Sequence, residues 1–438
     1  MNDNQDNQHL DGDAARRAMM LGLLGVGGLL AAQRAQAAYT GKTLVVLFQR
    51  FGADGLMELV PYNDPKWTEY RVAEARPDSV LPIGTRNYWG LHPRFGDDVD
   101  GTGSFKQVFW DTNQLALIPG TFVPDGDSRS HFSAQADMEV AAFGANVGTD
   151  IGFCSRILDA QPLTPEPTLR GTSLSSYRPD MARGDYSFVS IANLDGFYLQ
   201  SRHAGISEKI LAMFPADEPG PNAIALKTAQ ALVDVPQVAQ ASPAVWAPAT
   251  YTEYLLHNAA RLIRAKVGTQ IITIDVGGWD LHTGVKQGMD DLLRDLSRSL
   301  VRFRKALVHN GEDLWNSVNV VVMTEFGRTL HSNTPNNGIA GTDHGWGSLM
   351  MVLGGAVKGG IYDAAWPHVA AIPGGPTGLA AFENNAVGPL NDYRHALAEV
   401  ARRTLGLPLS STSTQPKSLQ TVFPGFGWQF HNFLPVLA

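Results

Sequence analysis

The chain has 438 residues, of which 44% are hydrophobic and 17% charged, with a formal net charge of −8. That length and apolar content suffice for one large core, while a mildly acidic chain without a basic run offers nothing to a phosphate backbone, which excludes nucleic acid as a partner. The lone Cys154 excludes an internal disulfide and, without Cys or His neighbours at ligand spacing, reads as core filler.

The first residues read as an address rather than as fold. Arg16-Arg17 precede an apolar, glycine-rich run from Ala18 to Ala32, and Ala35-Gln36-Ala37 follows as a small-x-small cleavage signal. This pattern predicts a twin-arginine (Tat) signal peptide over residues 1–37 and a mature domain over 38–438. The apolar run is shorter than the roughly 20 residues that span a bilayer. The expected locale is therefore periplasmic or secreted, with the Tat translocase as a transient partner and no stable membrane anchor. An uncleaved anchor or a buried N-terminal helix is the alternative.

Five apolar runs read as buried strands: Thr43–Phe48, Leu115–Ile118 (ending at Pro119-Gly120), Gln270–Asp275, Asn319–Thr324 and Leu349–Leu353. Between them, Tyr251–Val267, Met289–Val308 and Asp392–Leu405 carry apolar residues at three-to-four spacing, and Gly406 ends the last. A helical pattern also begins at Asp127–Phe132 and runs to about Gly144. Strand and helix in alternation predict an α/β fold, a three-layer α/β/α sandwich with a mostly parallel sheet. Residues 64–103, 158–185 and 215–250 lack periodicity and read as loop insertions. Trp67, Tyr70, Tyr88, Trp89 and Trp110 offer either stacking faces for a sugar or loop packing.

Two segments bring a carboxylate and an imidazole together beside glycines near strand ends: Gly277-Gly278-Trp279-Asp280-Leu281-His282 and Gly341-Thr342-Asp343-His344-Gly345. Ligands of α/β sheets gather beyond the carboxyl ends of strands. Carboxylate plus neutral imidazole suits Zn²⁺ or a similar divalent ion, whereas harder ions prefer oxygen alone. Asp54 follows the first strand within a glycine turn, as a ligand or as an Asx-turn or helix cap. In Asp127-Ser128-Arg129-Ser130-His131, either serine can cap a helix or act as a nucleophile favoured by the helix N-terminus. Arg129 can hold an anion by its bidentate fork. Glu325 and Arg328, past the Asn319–Thr324 strand, can be an oxygen ligand and an anion clamp or a salt bridge at the sheet edge.

The order of these signals resembles the family of Tat-exported proteins known as DUF1501, which is related to the alkaline phosphatase and sulfatase superfamily. The family pattern has R-R, then R-G-G-x-D-G, R-S-H-F, G-G-W-D-x-H, E-F-G-R-T, G-x-D-H-G and a late D-Y-R helix. Here stand Arg50-Phe51-Gly52-Ala53-Asp54-Gly55, Arg129-Ser130-His131-Phe132, Gly277 to His282, Glu325 to Thr329, Gly341 to Gly345 and Asp392-Tyr393-Arg394. Phe51 replaces a glycine, so that loop is expected to be stiffer or to carry a substrate-facing ring. The resemblance implies an alkaline-phosphatase-like two-metal hydrolase, with Ser130 as nucleophile; beside it, Arg129 or Arg328 can neutralise the transferring group's oxygens, and His131 is a further catalytic candidate. Asp54, Asp280, His282, Glu325, Asp343 and His344 would be its metal ligands. The superfamily's adjacent Asp-His after a late strand is Glu325-Phe326 here, which leaves the division of ligands, and the number of metals, open. The expected ion is Zn²⁺, with Mn²⁺, Ca²⁺ or Mg²⁺ as alternatives. The expected substrate is an anionic phosphate or sulfate ester, a small molecule or a glycan. Ser128 to His131 lacks the C/S-x-P-x-R motif of formylglycine sulfatases, which favours phosphate. The alternative of a different class is a non-catalytic envelope protein of the same fold, binding a glycan or a protein partner.

Overall fold

A computed structural model describes residues 41–124, 129–143, 149–184, 188–198, 205–214, 221–333, 339–363, 366, 385–409, 418–425 and 434–437. The expected leader lies outside these residues, as do Asp127 and Ser128.

Eleven strands matter to the site. They are β1 (Thr43–Gln49), β2 (Leu115–Phe122), β3 (Gly171–Ser173), β4 (Val189–Ser190), β5 (Ile271–Val276), β6 (Val318–Met323), β7 (Arg328–Ser332), β8 (Thr342–His344), β9 (Ser348–Gly354), β10 (Gly360–Ile361) and β11 (Asn391–Asp392). Nine form one sheet in the order β10-β2-β9-β6-β1-β5-β3-β4, with β11 also against β2. β1 lies parallel between β6 and β5, and β3 and β4 continue in parallel. β9 runs against both of its neighbours, while β10 and β11 lie parallel to β2. The sheet is thus mostly parallel, with β9 as the reversed strand. β7 and β8 pair as a separate hairpin.

Every residue of β1 is buried, because both faces of the strand are covered. Val45 and Leu47 pack in one apolar cluster with Leu255, Leu256 and Leu262 of α3 (Tyr251–Arg264) and Leu293, Leu296 and Leu300 of α4 (Val285–Leu307). Leu44, Val46 and Phe48 point the other way. They join Met138 of α1 (His131–Val140), Phe153 and Ile157 of α2 (Phe153–Asp159), and Leu397 and Val400 of α5 (Tyr393–Leu405). The period of two along the strand delivers alternate side chains to two helical layers. Each such Val or Leu contributes about 1.5–3 kcal/mol by leaving water. Cys154 is buried in the second cluster, as core filler would be. Among the described residues no helix is long and apolar enough to cross a membrane.

Three expectations change in detail. β2 does not stop at Pro119-Gly120 but continues to Phe122. Its ladder with β9 slips between Thr121↔Ser348 and Pro119↔Leu349, and Gly120, at φ 71°, takes up the extra residue. A bulge is where a sheet tolerates proline. Residues 215–250 are not all loop either, since a helix runs Pro221–Ala241. Its buried Ala231, Val235 and Val238 fall on one helical stripe, and its many alanines favour the helix. The 64–103 insertion adds its aromatics to the core rather than to the surface. Trp67 and Trp89 are buried, Trp89 Nε1 donates to Asp363 Oδ2 at 2.8 Å, and Tyr88 donates to Asp64. Of the two roles open to these two tryptophans, the structure gives loop packing.

The central consequence is positional. β6, β1 and β5 are adjacent and parallel, so their carboxyl ends open onto the same sheet edge, and a site-bearing loop leaves each of them.

Candidate metal centre

After β1 the chain turns through Phe51 (φ 81°) and Gly52 (φ 68°). A Cβ on Gly52 would lie 2.6 Å from the Phe326 ring, so glycine is required there. Phe51 is a non-glycine residue in the left-handed region, which is held by two backbone contacts. Its N–H donates to Glu325 Oε1 at 3.0 Å, and its carbonyl accepts from Arg328 Nη2 at 2.7 Å. After β5, the buried Trp279 donates Nε1 to the Val276 carbonyl at 3.0 Å and pins the loop that presents Asp280 and His282. His131 opens α1, and His344 ends β8 opposite Arg328.

These elements bring four donor atoms together. Asp280 Oδ1 lies 2.9 Å from His282 Nε2, 3.3 Å from His344 Nε2 and 3.4 Å from His131 Nε2. His282 Nε2 and His344 Nε2 are 3.0 Å apart. Each imidazole is held from behind through its other nitrogen. His131 Nδ1 meets Glu325 Oε1 at 2.8 Å, His282 Nδ1 meets Asp343 Oδ1 at 3.1 Å, and His344 Nδ1 meets the Arg129 carbonyl at 2.6 Å. A carbonyl only accepts, so His344 Nδ1 carries a proton and a neutral ring turns a lone pair inward from Nε2. Carboxylates behind His131 and His282 favour the same tautomer. His131 Nε2 is buried with no hydrogen-bond partner, a cost that a bound ion would remove.

The electrostatics favour the ligating forms of Asp280 and His344. Burial alone would raise the Asp280 pKa, but the hydrogen bond and charge of Arg328, followed by the charges of His282 and His131, hold it at about 2. Burial lowers the His344 pKa, with the nearby charges of His131 and Arg328 in the same direction and the bonds to Arg129 and Asp280 opposing. Ionised carboxylate and neutral imidazole are the forms a divalent metal needs. Phe51 stands edge-on to His131 at 5.4 Å between centroids, and Phe326 lies 4.8 Å from His131 and 4.9 Å from His344. Apolar rings thus wall one side. The side chains of Asp280 and His282 remain 40% and 43% exposed on the other.

Of the residues singled out in the sequence, Asp280, His282, His344 and His131 converge. Among the described residues, His131, Asp280 and His344 offer atoms all within 4.8 Å of one another, and no second cluster of three or more potential ligands occurs. Glu325 and Asp343 stand one step back, each behind a histidine. Glu325 is buried and its Oε1 accepts from Phe51 N–H, His131 Nδ1 and Gln135 Nε2. Asp54 turns away: it is buried, with Oδ2 2.7 Å from Arg71 Nη1 and 3.4 Å from Thr342 Oγ1. Arg71 engages Oδ2, while Oδ1 is buried without a hydrogen-bond partner. Arg328 is also buried. Its guanidinium donates to the carbonyls of Gly52, Phe51, Thr342 and Trp279 and to Asp280 Oδ1. It ties the three loops together instead of facing an anion. Arg129 and Ser130 are exposed, and Ser130 is the N-cap residue of α1 without a side-chain cap hydrogen bond.

The sequence reading passed over Arg71, Thr324 and Gln135. Gln135 had a signal, since it stands one helical turn after His131 and shares its face. Thr324, whose hydroxyl accepts from Ala53 N–H at 3.0 Å, and Arg71 had none.

Residues 229–375 match the family model described as "Protein of unknown function (DUF1501)". The matched stretch contains Asp280, His282, Glu325, Arg328, Asp343 and His344 but not Asp54, Ser130 or His131. Comparison with curated proteins gives no match.

Proposed function

We propose that the protein is an exported, metal-dependent hydrolase of phosphate or sulfate esters, built on an alkaline-phosphatase-like fold and using Ser130 as nucleophile. The observation that carries the reading is the meeting of three imidazole Nε2 atoms and Asp280 Oδ1, with every Nδ1 engaged from behind. Such backing fixes ligand orientation and tautomer. His131, Asp280, His282 and His344 would hold one divalent ion. A nitrogen-rich set favours Zn²⁺ and counts against Ca²⁺ and Mg²⁺. With one cluster of donors among the described residues and Asp54 Oδ2 engaged by Arg71, a single ion is the better reading than a pair.

When bound, the ion would polarise an ester oxygen and lower the pKa of a hydroxyl beside it. The chain's own residues supply the rest. Arg328 fixes Asp280, and the rings of Phe51 and Phe326 exclude water from the closed side. Ser130 stands between Arg129, whose carbonyl holds His344, and His131, at the N-terminus of a ten-residue helix where negative charge is stabilised. Its hydroxyl would form a bond to phosphorus or sulfur as the bond to the leaving alcohol breaks, and water would then release the serine. Arg129 would neutralise the anionic group.

Four measurements test this. Metal analysis of the purified protein should find about one divalent ion per chain, and a screen of phosphate mono- and diesters and sulfate esters should find hydrolysis. Ser130→Ala should lose at least about a thousandfold in rate, roughly 4 kcal/mol of barrier, while keeping its metal. A mild loss would assign the attack to water. A metal-loaded protein without hydrolysis would favour a binding protein of the envelope. Replacing Arg16 and Arg17 by Lys should leave the precursor in the cytoplasm, and unchanged periplasmic protein would overturn Tat export.

A further inference from the structure

We infer that Gln135 is a positioning residue of this centre, holding Glu325 against His131 and coupling that pair to Arg50 at the end of β1. The inference rests on the metal-centre reading. His131, Gln135 and Glu139 are spaced i, i+4, i+8 on α1 and so share one face. His131 Nδ1 and Gln135 Nε2 each lie 2.8 Å from the same oxygen, Glu325 Oε1, and the Phe51 N–H adds a third contact at 3.0 Å. At the other end of its amide, Gln135 Oε1 accepts from Arg50 Nη1 at 3.4 Å.

Arg50 itself is immobilised. It pairs with Glu139, approaches Asp275 Oδ1 at 2.8 Å through Nη2, and lies 4.1 Å over the Phe48 ring. Glu139 also accepts from the Met181 N–H at 2.9 Å. The helix stripe therefore carries three jobs in succession: ligand, orienter and anchor. A flipped Gln135 amide would set oxygen against carboxylate and NH₂ against guanidinium, so Arg50 fixes which end of the amide faces Glu325. Without that donor, Glu325 is released from one side. His131 can then turn or adopt the tautomer whose Nε2 bears a proton and cannot ligate.

The test is Zn²⁺ affinity, measured on the folded full-length protein against a competing chelator. Gln135→Met keeps the bulk of the side chain but no donor and should bind Zn²⁺ about 10–100-fold more weakly, the usual loss for an outer partner of a ligand. Gln135→Leu likewise removes the donor without adding a charge beside Glu325. Both variants should melt close to wild type in the metal-free protein, which a purely structural role would not produce. Thr250→Ala, a helix cap outside this network, should keep wild-type affinity despite lower stability. Wild-type affinity in both Gln135 variants overturns the inference and leaves the centre standing. No Zn²⁺ binding by the wild type overturns the centre itself, and this inference with it.

Discussion

The loops that follow β1 and β5 share a local signature, glycines and an aspartate just past a buried parallel strand, yet they end differently. Asp54 is 1% exposed and paired with Arg71, while the Asp280 side chain is 40% exposed among three imidazoles. The glycines determine that the chain turns; the partner determines what the carboxylate does. Arg71 also donates to the carbonyls of Thr329 and Leu330, so it reaches Asp54 as part of a buried bracket. Asp280 shares its cation, Arg328, with four carbonyls and keeps its Oδ1 turned toward the histidines. One loop supports the fold and the other presents a site.

The sharpest way to break this comparison is to remove one partner from each side. His344→Ala should weaken metal binding more than about 100-fold, beyond the loss expected from an outer-shell change, and lower the melting temperature of the loaded protein through linkage. Asp54→Ala should instead keep the metal and cost about 3–5 kcal/mol of stability, because Arg71 is left buried without its counter-charge. Metal content and urea unfolding of the two variants check both outcomes. Equal metal loss in both would return Asp54 to the centre.

A second test uses the proton. Glu58 sits on the helical turn after Asp54, and its pKa is raised to about 8, first by burial and further by the Asp54 charge, with the Gln49 hydrogen bond opposing. The folded state therefore keeps a proton that the unfolded chain releases near 4.5. Between these values the folded state binds more protons, so this group's contribution falls as pH rises, by at most about 1.4 kcal/mol per pH unit. Glu58→Gln mimics the protonated form and can still accept from Gln49. It should match wild type near pH 5 and be the more stable of the two at pH 8. An unchanged slope in denaturant titrations across that range would show that Glu58 is ionised in the fold. The inward loop would then tolerate two negative charges, and its contrast with the Asp280 loop would weaken.

The sheet was legible because burial on both faces leaves continuous apolar runs, as in Thr43–Phe48 and Asn319–Thr324. The helices around it were legible from their stripes. The reversal of β9 was not, because Leu349–Leu353 is apolar in either direction, and direction is set by the β7–β8 hairpin before it. At the site, His282 and His344 were legible from glycine-flanked pairs with aspartate. The separation of converging donors from supporting carboxylates was not. Glu325 and Asp343 are carboxylates in the same motifs as the converging side chains, and only the three-dimensional path places them behind a ring. Arg71, 17 residues beyond Asp54, decides that residue's role from outside every motif.

The smallest expected effect concerns two helix starts. Thr250 caps α3 by accepting from the Glu253 N–H at 3.2 Å, whereas Ser130, at the same position of α1, makes no such bond. Cap substitutions by alanine cost about 1 kcal/mol when the bond exists. Thr250→Ala should therefore lose about that much in urea unfolding with metal and rate unchanged, and Ser130→Ala, which removes no cap bond, should lose less. The order of effects on activity reverses, with Ser130→Ala severe and Thr250→Ala silent. A Ser130→Ala loss near 1 kcal/mol with activity retained would make Ser130 a cap that forms in solution. The Asp280 loop would then keep its ion but lose its nucleophile, leaving attack to water on the exposed side of the four donors.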